Sequence, residues 1–232
     1  MNVLEKSLLS PSGEYYSSVN LNLYDSPRCK NLASQIAAGR HLKVLSSVVD
    51  GSVEVSSCED NYPGWLTLKD IEQLQSASKA YQGIAFSRSE IEQRLPEIIA
   101  FTKAAMAQPN YYLWGGTVAP NYDCSGLMQA AFSSQGIWLP RDSYQQEAFT
   151  QTITLDDLLP GDLIFFSQGE RVNHVALYLG DETYIHSSGA EDGRNGIGID
   201  SLMVQKDEIG AFYRRRITGA GRVIGSYLSG NG

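Results

Sequence analysis

Cys124 closes the stretch N-Y-Y-L-W-G-G-T-V-A-P-N-Y-D-C that starts at Asn110, and S-G and then L-M-Q-A-A-F follow, the latter with the apolar–polar pattern of a helix. A cysteine placed where a loop becomes a helix faces unpaired backbone N–H groups, whose positive field favours thiolate over thiol. Nucleophilic chemistry at Cys124 is therefore the leading expectation, and a buried, inert cysteine is the alternative. Nucleophilic catalysis by cysteine needs a base within hydrogen-bond reach and a third group that orients the base. The chain has three histidines, His41, His174 and His186. His174 opens one expected strand and His186 closes the next, so both can approach a thiol presented by the earlier helix. His174 would take the thiol proton to form a thiolate–imidazolium pair, and His186 would hold the other ring nitrogen and fix its tautomer. Taken singly, each histidine also reads as a hydrogen-bonded structural residue, the reading kept for His41.

Positioning sets a condition. Side chains alternate across a strand, so residues facing each other in a hairpin share a face only in the right phase. His174 and His186 share one if the loop between their strands has an odd residue count, as a three-residue Gly180-Asp181-Glu182 loop would, or if a bulge restores the phase. The expected strands are L-I-F-F after Pro160-Gly161-Asp162, then His174–Leu179, Tyr184–His186 and Gly210–Ile217, with Ser187–Gly198 a glycine-rich loop. Ahead of them, Ser89-Glu90 starts a helix and Pro96 marks the first turn of a second, which carries Ile98, Ile99, Phe101, Ala104 and Ala105 at helical spacing. The helix after Gly126 runs to about Ser134 with Gly136 closing it, and a short helix spans Tyr144–Phe149. Helices feeding an antiparallel sheet make an α+β plan.

The first third reads differently. Glu14–Leu23, Leu42–Val49 and Ser52–Val55 pattern as short strands, with a hairpin turn at Asp50-Gly51 and an aromatic strand start at Trp65, which together suggest a small all-β barrel. The pattern lapses between Leu74 and Ser89, giving an expected division into a barrel over residues 1–80, a linker and short helix over 81–95, and a second domain over 96–232. The final S-G-N-G is expected to fray.

Composition narrows the function classes. The 232 residues are 42% hydrophobic and 19% charged, ordinary for a globular chain, and no apolar run approaches spanning length, so no membrane insertion is expected. A net charge of −8 argues against a nucleic-acid partner, and Arg214-Arg215-Arg216 reads as a solvated strand edge. Cys29, Cys58 and Cys124 are too few for a disulfide framework. The N-terminal M-N-V-L-E-K-S-L-L-S-P-S-G-E lacks a basic region followed by a long apolar run, so the expected location is cytoplasmic, with Cys29 and Cys58 reduced and a bridge between them the alternative.

In order along the chain, Y-L-W-G-G, D-C-S-G-L, L-P-R-x-S-x-x-Q, P-G-D-L-I-F-F, H-V-A-L-Y-L-G and Y-I-H-S-S-G resemble the NlpC-type cysteine peptidases of bacterial cell walls, over about residues 96–217. The N-terminal P-G-W-L resembles the end of a bacterial SH3-like barrel. Together they resemble γ-D-glutamyl-diamino-acid endopeptidases of the cyanobacterial and Bacillus type. The resemblance implies a papain-like second domain and hydrolysis of the bond between γ-D-glutamate and meso-diaminopimelate in peptidoglycan peptides. By motif it makes Cys124 the nucleophile, His174 the base and His186 the third polar residue.

Further roles follow from the chemistry and the resemblance together. Negative charge develops on the carbonyl oxygen in acyl transfer and needs donors about 3 Å away. The Cys124 backbone N–H is one candidate and the Tyr112 hydroxyl the other, with aromatic packing the alternative for Tyr112. Trp114 is expected as wall or core. Asp123 could pair with the ammonium of a murein tripeptide, completed by Tyr62 from the barrel, or merely cap the helix. Ser125, Arg141, Asp142 and Ser143 are candidates for the diaminopimelate side, against a surface ion pair between Arg141 and Asp142. No cofactor or metal is expected, a zinc site on two histidines and a cysteine being the alternative. The expected partners are peptidoglycan-derived small peptides. The competing functions are a non-catalytic wall-binding module and an amide hydrolase or acyltransferase acting on another substrate.

Overall fold

A computed structural model describes residues 13–203 and 208–229. The expected fraying at residues 230–232 and the reading of residues 1–12 fall outside them. The chain forms two compact units. One takes the chain up to Gly83 together with Trp114–Val118 and the stretch from Leu228; the other takes Ile84–Leu113 and Ala119–Tyr227.

The first unit is all-β. Its strands are β1 (Glu14–Ser17), β2 (Leu21–Tyr24), β3 (Leu32–Ile36), β4 (His41–Val44), β5 (Ser52–Ser57), β6 (Pro63–Thr67) and β7 (Leu74–Ser76), with one short helix, α1 (Leu68–Ile71). They form one sheet in the order β3-β2-β6-β5-β4-β1-β7, antiparallel throughout. Alternate residues Leu21, Leu23, Leu42, Val44, Val53, Val55 and Leu66 point into a core of their own. The expected turn at Asp50-Gly51 is present, both residues at positive φ, with Val49 bridged to Ser52. Where one strand was expected over Glu14–Leu23 there are two, because the Ser17 hydroxyl accepts the Val19 N–H and turns the chain. β4 stops at Val44, short of the expected Val49, and β3 and β7 carried no alternation strong enough to be read. Thr117 and Val118 belong to this unit through N–H bonds to the Gln35 side chain, 3.1 and 3.2 Å.

The second unit is mixed α and β. Helices α2 (Arg88–Glu92), α3 (Leu95–Met106), α4 (Cys124–Ser133), α5 (Ser143–Phe149) and α6 (Glu208–Arg214) accompany a six-stranded antiparallel sheet. Its strands are β8 (Gln151–Ile153), β9 (Leu163–Phe166), β10 (His174–Gly180), β11 (Thr183–Ser188), β12 (Gly196–Ser201) and β13 (Ile217–Arg222), in the order β8-β13-β9-β10-β11-β12. The continuous L-I-F-F run is β9, buried on both faces. Leu163 and Phe165 join Leu127, Met128, Ala131 and Phe132 of α4, whereas Ile164 and Phe166 join Ala176, Tyr184 and Tyr213 on the opposite side. Pro96 sits in the first turn of α3 as expected, and Ser87 caps α2 in a reciprocal box with Glu90.

Three expectations fail here. Residues 208–214 are helical, and the last strand is Ile217–Arg222 instead of Gly210–Ile217. The aromatic, β-prone A-F-Y is overridden because Ile209, Phe212 and Tyr213, at helical spacing, cover the sheet face opposite α4. Arg216 accordingly lies over the Phe212 ring, 3.3 Å from its centroid, and within 3.9 Å of Asp192, so the basic run is a helix end and not a strand edge. The expected loop over Ser187–Gly198 is also partly sheet. β11 runs to Ser188 and Gly196 starts β12, whose glycines disguised it.

The phase condition on the histidines is met by a bulge. The turn itself has two residues, Asp181 and Glu182, both at positive φ, as a tight hairpin turn of this hand requires. Carried on without interruption from the Gly180–Thr183 pair, that turn would put the histidines on opposite faces. The register shifts between Tyr178 and Gly180, so that Tyr178 faces Tyr184 and Leu177 faces Ile185. Leu179 is the extra residue, and with it both histidines join the face shared by Ala176 and Tyr184.

Candidate active site

Cys124 is the first residue of α4, 6% exposed, behind its N-cap Asp123, whose carboxylate accepts the Gly126 N–H at 2.6 Å. Its Sγ lies 4.0 Å from the Asn173 carbonyl and also feels the Val175 N–H, so it sits against the backbone on both sides of His174. The electrostatics correct one expectation. Burial pushes the thiol up to about 12, and the Asp123 carboxylate adds to that, outweighing the Val175 and Ser125 N–H groups and Arg141. The positive end of the helix is already occupied by its own cap, so the resting sulfur keeps its proton.

The two imidazoles are in direct contact. His174 Nε2 and His186 Nδ1 are 2.7 Å apart, and His186 Nε2 lies 2.6 Å from Asp200 Oδ2. Asp200 in turn holds Arg194 through Oδ1 at 2.5 Å. Burial lowers the pKa of His174 well below the usual value, with the neighbouring charges of His186 and Arg216 acting the same way. Burial also lowers that of His186, against the opposing pull of Asp200. Both rings rest neutral beside a neutral thiol. Tyr213 clamps the pair: its ring stacks on His174 at 4.6 Å and stands edge-on to His186 at 4.6 Å, while its hydroxyl donates to Asp192 at 2.9 Å.

Tyr112 shares this centre. Burial raises its phenol pKa, followed by the charges that Cys124 and Asp123 would carry, so it keeps its proton as a donor. Its N–H is bonded to the Asn195 side chain at 3.3 Å. Trp114 is 72% exposed and so belongs to no core. Arg141 is buried and meets Asp123 bidentately, Nη2 to Oδ2 at 2.6 Å and Nη1 to Oδ1 at 3.2 Å, with Nη1 also 2.9 Å from Ser125 Oγ. The surface ion pair considered for Arg141 and Asp142 is therefore wrong. Asp123, Ser125 and Arg141 are one buried cluster under the start of α4. Asp142 instead precedes α5, its N–H bonded to Gln145 Oε1 at 3.1 Å, and Ser143 is the buried first residue of that helix. Tyr62 lies in the β5–β6 connection of the first unit, partly buried against the barrel core, with its N–H 3.3 Å from Ser57 Oγ.

Asp200, Arg194 and Tyr213 escaped the sequence reading. Asp200 and Arg194 stood in or beside the supposed glycine-rich loop, and Tyr213 in the supposed last strand. The alternation G-I-G-I-D was the available signal. Gly198 faces His186, so Asp200, two residues on, lies diagonally across on the same face. A side chain at Gly198 would overlap the Arg194 guanidinium, which would have to shift to admit one. Among the described residues, no group of three or more His, Cys, Asp or Glu is placed to hold a metal ion, and no helix is long and apolar enough to cross a membrane.

Comparison with known proteins gives this geometry a setting. Residues 109–212 match the NlpC/P60 family and residues 23–71 the bacterial dipeptidyl-peptidase SH3 domain. A probable endopeptidase p60 from Listeria innocua is 38% identical over 112 residues, 48% of this chain and 22% of that protein. A gamma-D-glutamyl-L-lysine dipeptidyl-peptidase from Bacillus cereus is 45% identical over 83 residues, 34% of this chain and 25% of that protein. The chain thus spans about a quarter or less of the length of these relatives. The crystal structure of an NlpC/P60 family protein from Bacillus cereus superposes with a TM-score of 0.49 at 24% identity, covering 94% of this chain and 66% of that one. With a thiol at a helix start, histidines paired on an antiparallel sheet and a β barrel ahead of them, the chain carries an NlpC/P60 domain behind a bacterial SH3 domain.

Proposed function

We propose that this chain is a cysteine peptidase that hydrolyses the bond between γ-D-glutamate and meso-diaminopimelate in small peptidoglycan peptides. The observation that carries the reading is the buried thiol of Cys124 set against the backbone of His174, whose ring is hydrogen-bonded to His186. The name of the Bacillus relative supports the γ-D-glutamyl side of the bond but has L-lysine on the other side, and that of the Listeria relative supports endopeptidase activity; meso-diaminopimelate rests on the resemblance of the sequence motifs.

His174 uses Nε2 toward His186, so its Nδ1 receives the thiol proton as Sγ attacks the carbonyl carbon. Because thiol and imidazole both rest neutral, the proton moves with the attack, and His174 acts as a general base in place of a standing ion pair. The Cys124 N–H and the Tyr112 hydroxyl stabilise the oxyanion. The imidazolium then gives its proton to the leaving amine. Water, deprotonated by the same ring, attacks the γ-glutamyl thioester carbonyl, the C–S bond breaks to free the γ-carboxylate, and the ring returns the proton to the Cys124 sulfur. Asp142 and Ser143 are the residues assigned to the diaminopimelate side. Asp123, Ser125 and Arg141 are bound to one another under α4 and support that side from beneath, so that Asp123 reaches the peptide ammonium only by sharing its carboxylate with Arg141.

The test is incubation with L-Ala-γ-D-Glu-meso-diaminopimelate, with products identified by mass. Cys124→Ala should lower turnover by at least about 10³-fold while the protein keeps its circular dichroism spectrum. Cleavage at an undiminished rate, or no cleavage by the unmodified protein, overturns the reading.

A further inference from the structure

The pair of histidines does not end the chain of hydrogen bonds: it continues to Asp200 Oδ2 at 2.6 Å from His186 Nε2, and from Oδ1 to Arg194 at 2.5 Å. Each link constrains the next. A carboxylate can only accept, so the proton between Asp200 and His186 sits on His186 Nε2. A neutral imidazole carries one proton, which leaves His186 Nδ1 bare and obliges it to accept from His174 Nε2 at 2.7 Å. His174 then has its own single proton on Nε2, and Nδ1 is a lone pair. We propose that Asp200, held by Arg194, is a positioning residue: it sets the tautomers of both histidines so that His174 presents Nδ1 to Cys124 as a proton acceptor. The tautomers rest on the hydrogen bonds alone, while the approach of Nδ1 to the thiol rests on the peptidase reading.

The surroundings favour a single arrangement. Asp200 is buried in β12, and Arg194 lies over the bare Gly198 opposite His186. The other charged and titratable groups around the rings include Tyr213 from α6, Tyr184 from β11 with its ring 5.3 Å from His186, Asp192 from the loop before β12, and Arg216 after α6. Tyr213 holds both ring planes, so the protons are left to the hydrogen bonds. In the forward step the S–H bond breaks, a proton joins His174 Nδ1, and the sulfur's electron pair is free to attack. The positive charge on His174 is then relieved through His186 toward the Asp200 carboxylate, with no other reactant needed.

Asp200→Asn separates this role from packing, because it keeps the shape. Arg194 claims the single amide oxygen, so the amide turns its NH₂ toward His186 Nε2. That nitrogen must then accept, the protons along both rings reverse, and His174 shows an N–H to the thiol in place of a lone pair. Two measurements on the full chain decide the matter. The first is nitrogen-15 NMR of the unaltered protein labelled at histidine. Both His174 and His186 should be protonated at Nε2 and bare at Nδ1. The second is the rate of Cys124 alkylation by iodoacetamide across pH 5–9, which needs no peptide. Asp200→Asn should slow alkylation near pH 7 by about 10²- to 10⁴-fold. Adding Arg194→Ala, which frees the amide oxygen to accept from His186, should recover part of that rate. A His174 protonated at Nδ1 in the unaltered protein overturns the proposal, and so does an Asp200→Asn variant that alkylates at the unaltered rate. If both results are as expected but murein tripeptide is not cleaved, the tautomer relay stands and the peptidase reading falls.

Discussion

Arg141 is the residue whose burial asks most of its partners. It is 2% exposed, and its guanidinium spans both oxygens of Asp123 and the Ser125 hydroxyl. Taking two charges out of water is costly, and good bidentate geometry offsets that cost only while both partners remain. Arg141→Ala therefore leaves the Asp123 carboxylate without its guanidinium under the N-terminus of α4, and should cost about 3–5 kcal/mol in urea unfolding. An Arg141→Ala, Asp123→Ala pair should cost less than the sum of its single changes, because the second change removes the stranded charge. A loss below about 1 kcal/mol for Arg141→Ala would mean that the cluster is no structural keystone. The sequence displayed D-C-S and L-P-R as motifs, yet nothing in their spacing said that Asp123 and Arg141 would meet. Eighteen positions part them, and the pairing follows from the chain returning past α4 through Leu139, a link that periodicity does not report.

Among the elements, the β10–β11 hairpin does most to place the chemistry, and it is locally strained. Asp181 and Glu182 both lie at positive φ, 49° and 56°, where a side chain is disfavoured. The Glu182 N–H bonds the Tyr178 hydroxyl at 3.2 Å, and its carbonyl accepts the Leu202 N–H at 2.7 Å; both are backbone groups that any residue supplies. Glu182→Gly should therefore stabilise the protein by about 0.5–1 kcal/mol, the relief of strain exceeding the entropy of glycine in the unfolded chain. Alkylation of Cys124 should not change, because the Leu179 bulge and not the turn residue sets the phase of the histidines. A slower alkylation rate in this variant would tie the turn to the site. This hairpin also shows where sequence legibility stopped. G-D-E marked the turn, and the alternation on either side marked two strands. The extra residue was not placed by the sequence, since the H-V-A-L-Y-L-G run alternates without a break and Gly180, at positive φ beside the bulge, read as part of the turn. Helices α3 and α4 were readable because proline, glycine and apolar spacing agreed. Helix α6 and strand β12 were not, because aromatics suited to a strand and glycines suited to a loop were overruled by what they pack against.

On the scale of the whole molecule, the two units keep separate cores and different titrating groups, so acid should act on them unequally. In the second unit His174 and His186 are buried neutral with lowered pKa values. The unfolded chain then binds more protons than the native one once pH falls below the ordinary histidine value of about 6.5. Their contribution to stability is complete above that value and is lost progressively as pH falls toward the lowered native values. In the barrel the signs differ. Burial raises the Glu59 carboxyl, with Arg40 only partly pulling it back, so acidification into its range favours the native state. For Glu14, burial alone would raise the carboxyl, but the Tyr81 N–H, His41 and Lys43 hold it low, so its contribution is lost only below the ordinary glutamate value of about 4.3. Between pH 8 and pH 5.5 the second unit should therefore lose stability while the barrel does not. Hydrogen exchange in mild urea, corrected for the intrinsic pH dependence of exchange, should show protection falling in residues 124–133 and 174–188 but holding in residues 52–67. The same loss in both stretches would place the acid-sensitive groups elsewhere. Greater protection of β10 and β11 at pH 5.5 would mean that the imidazoles are charged in the native protein, and the neutral resting pair on which the general-base step depends would have to be abandoned.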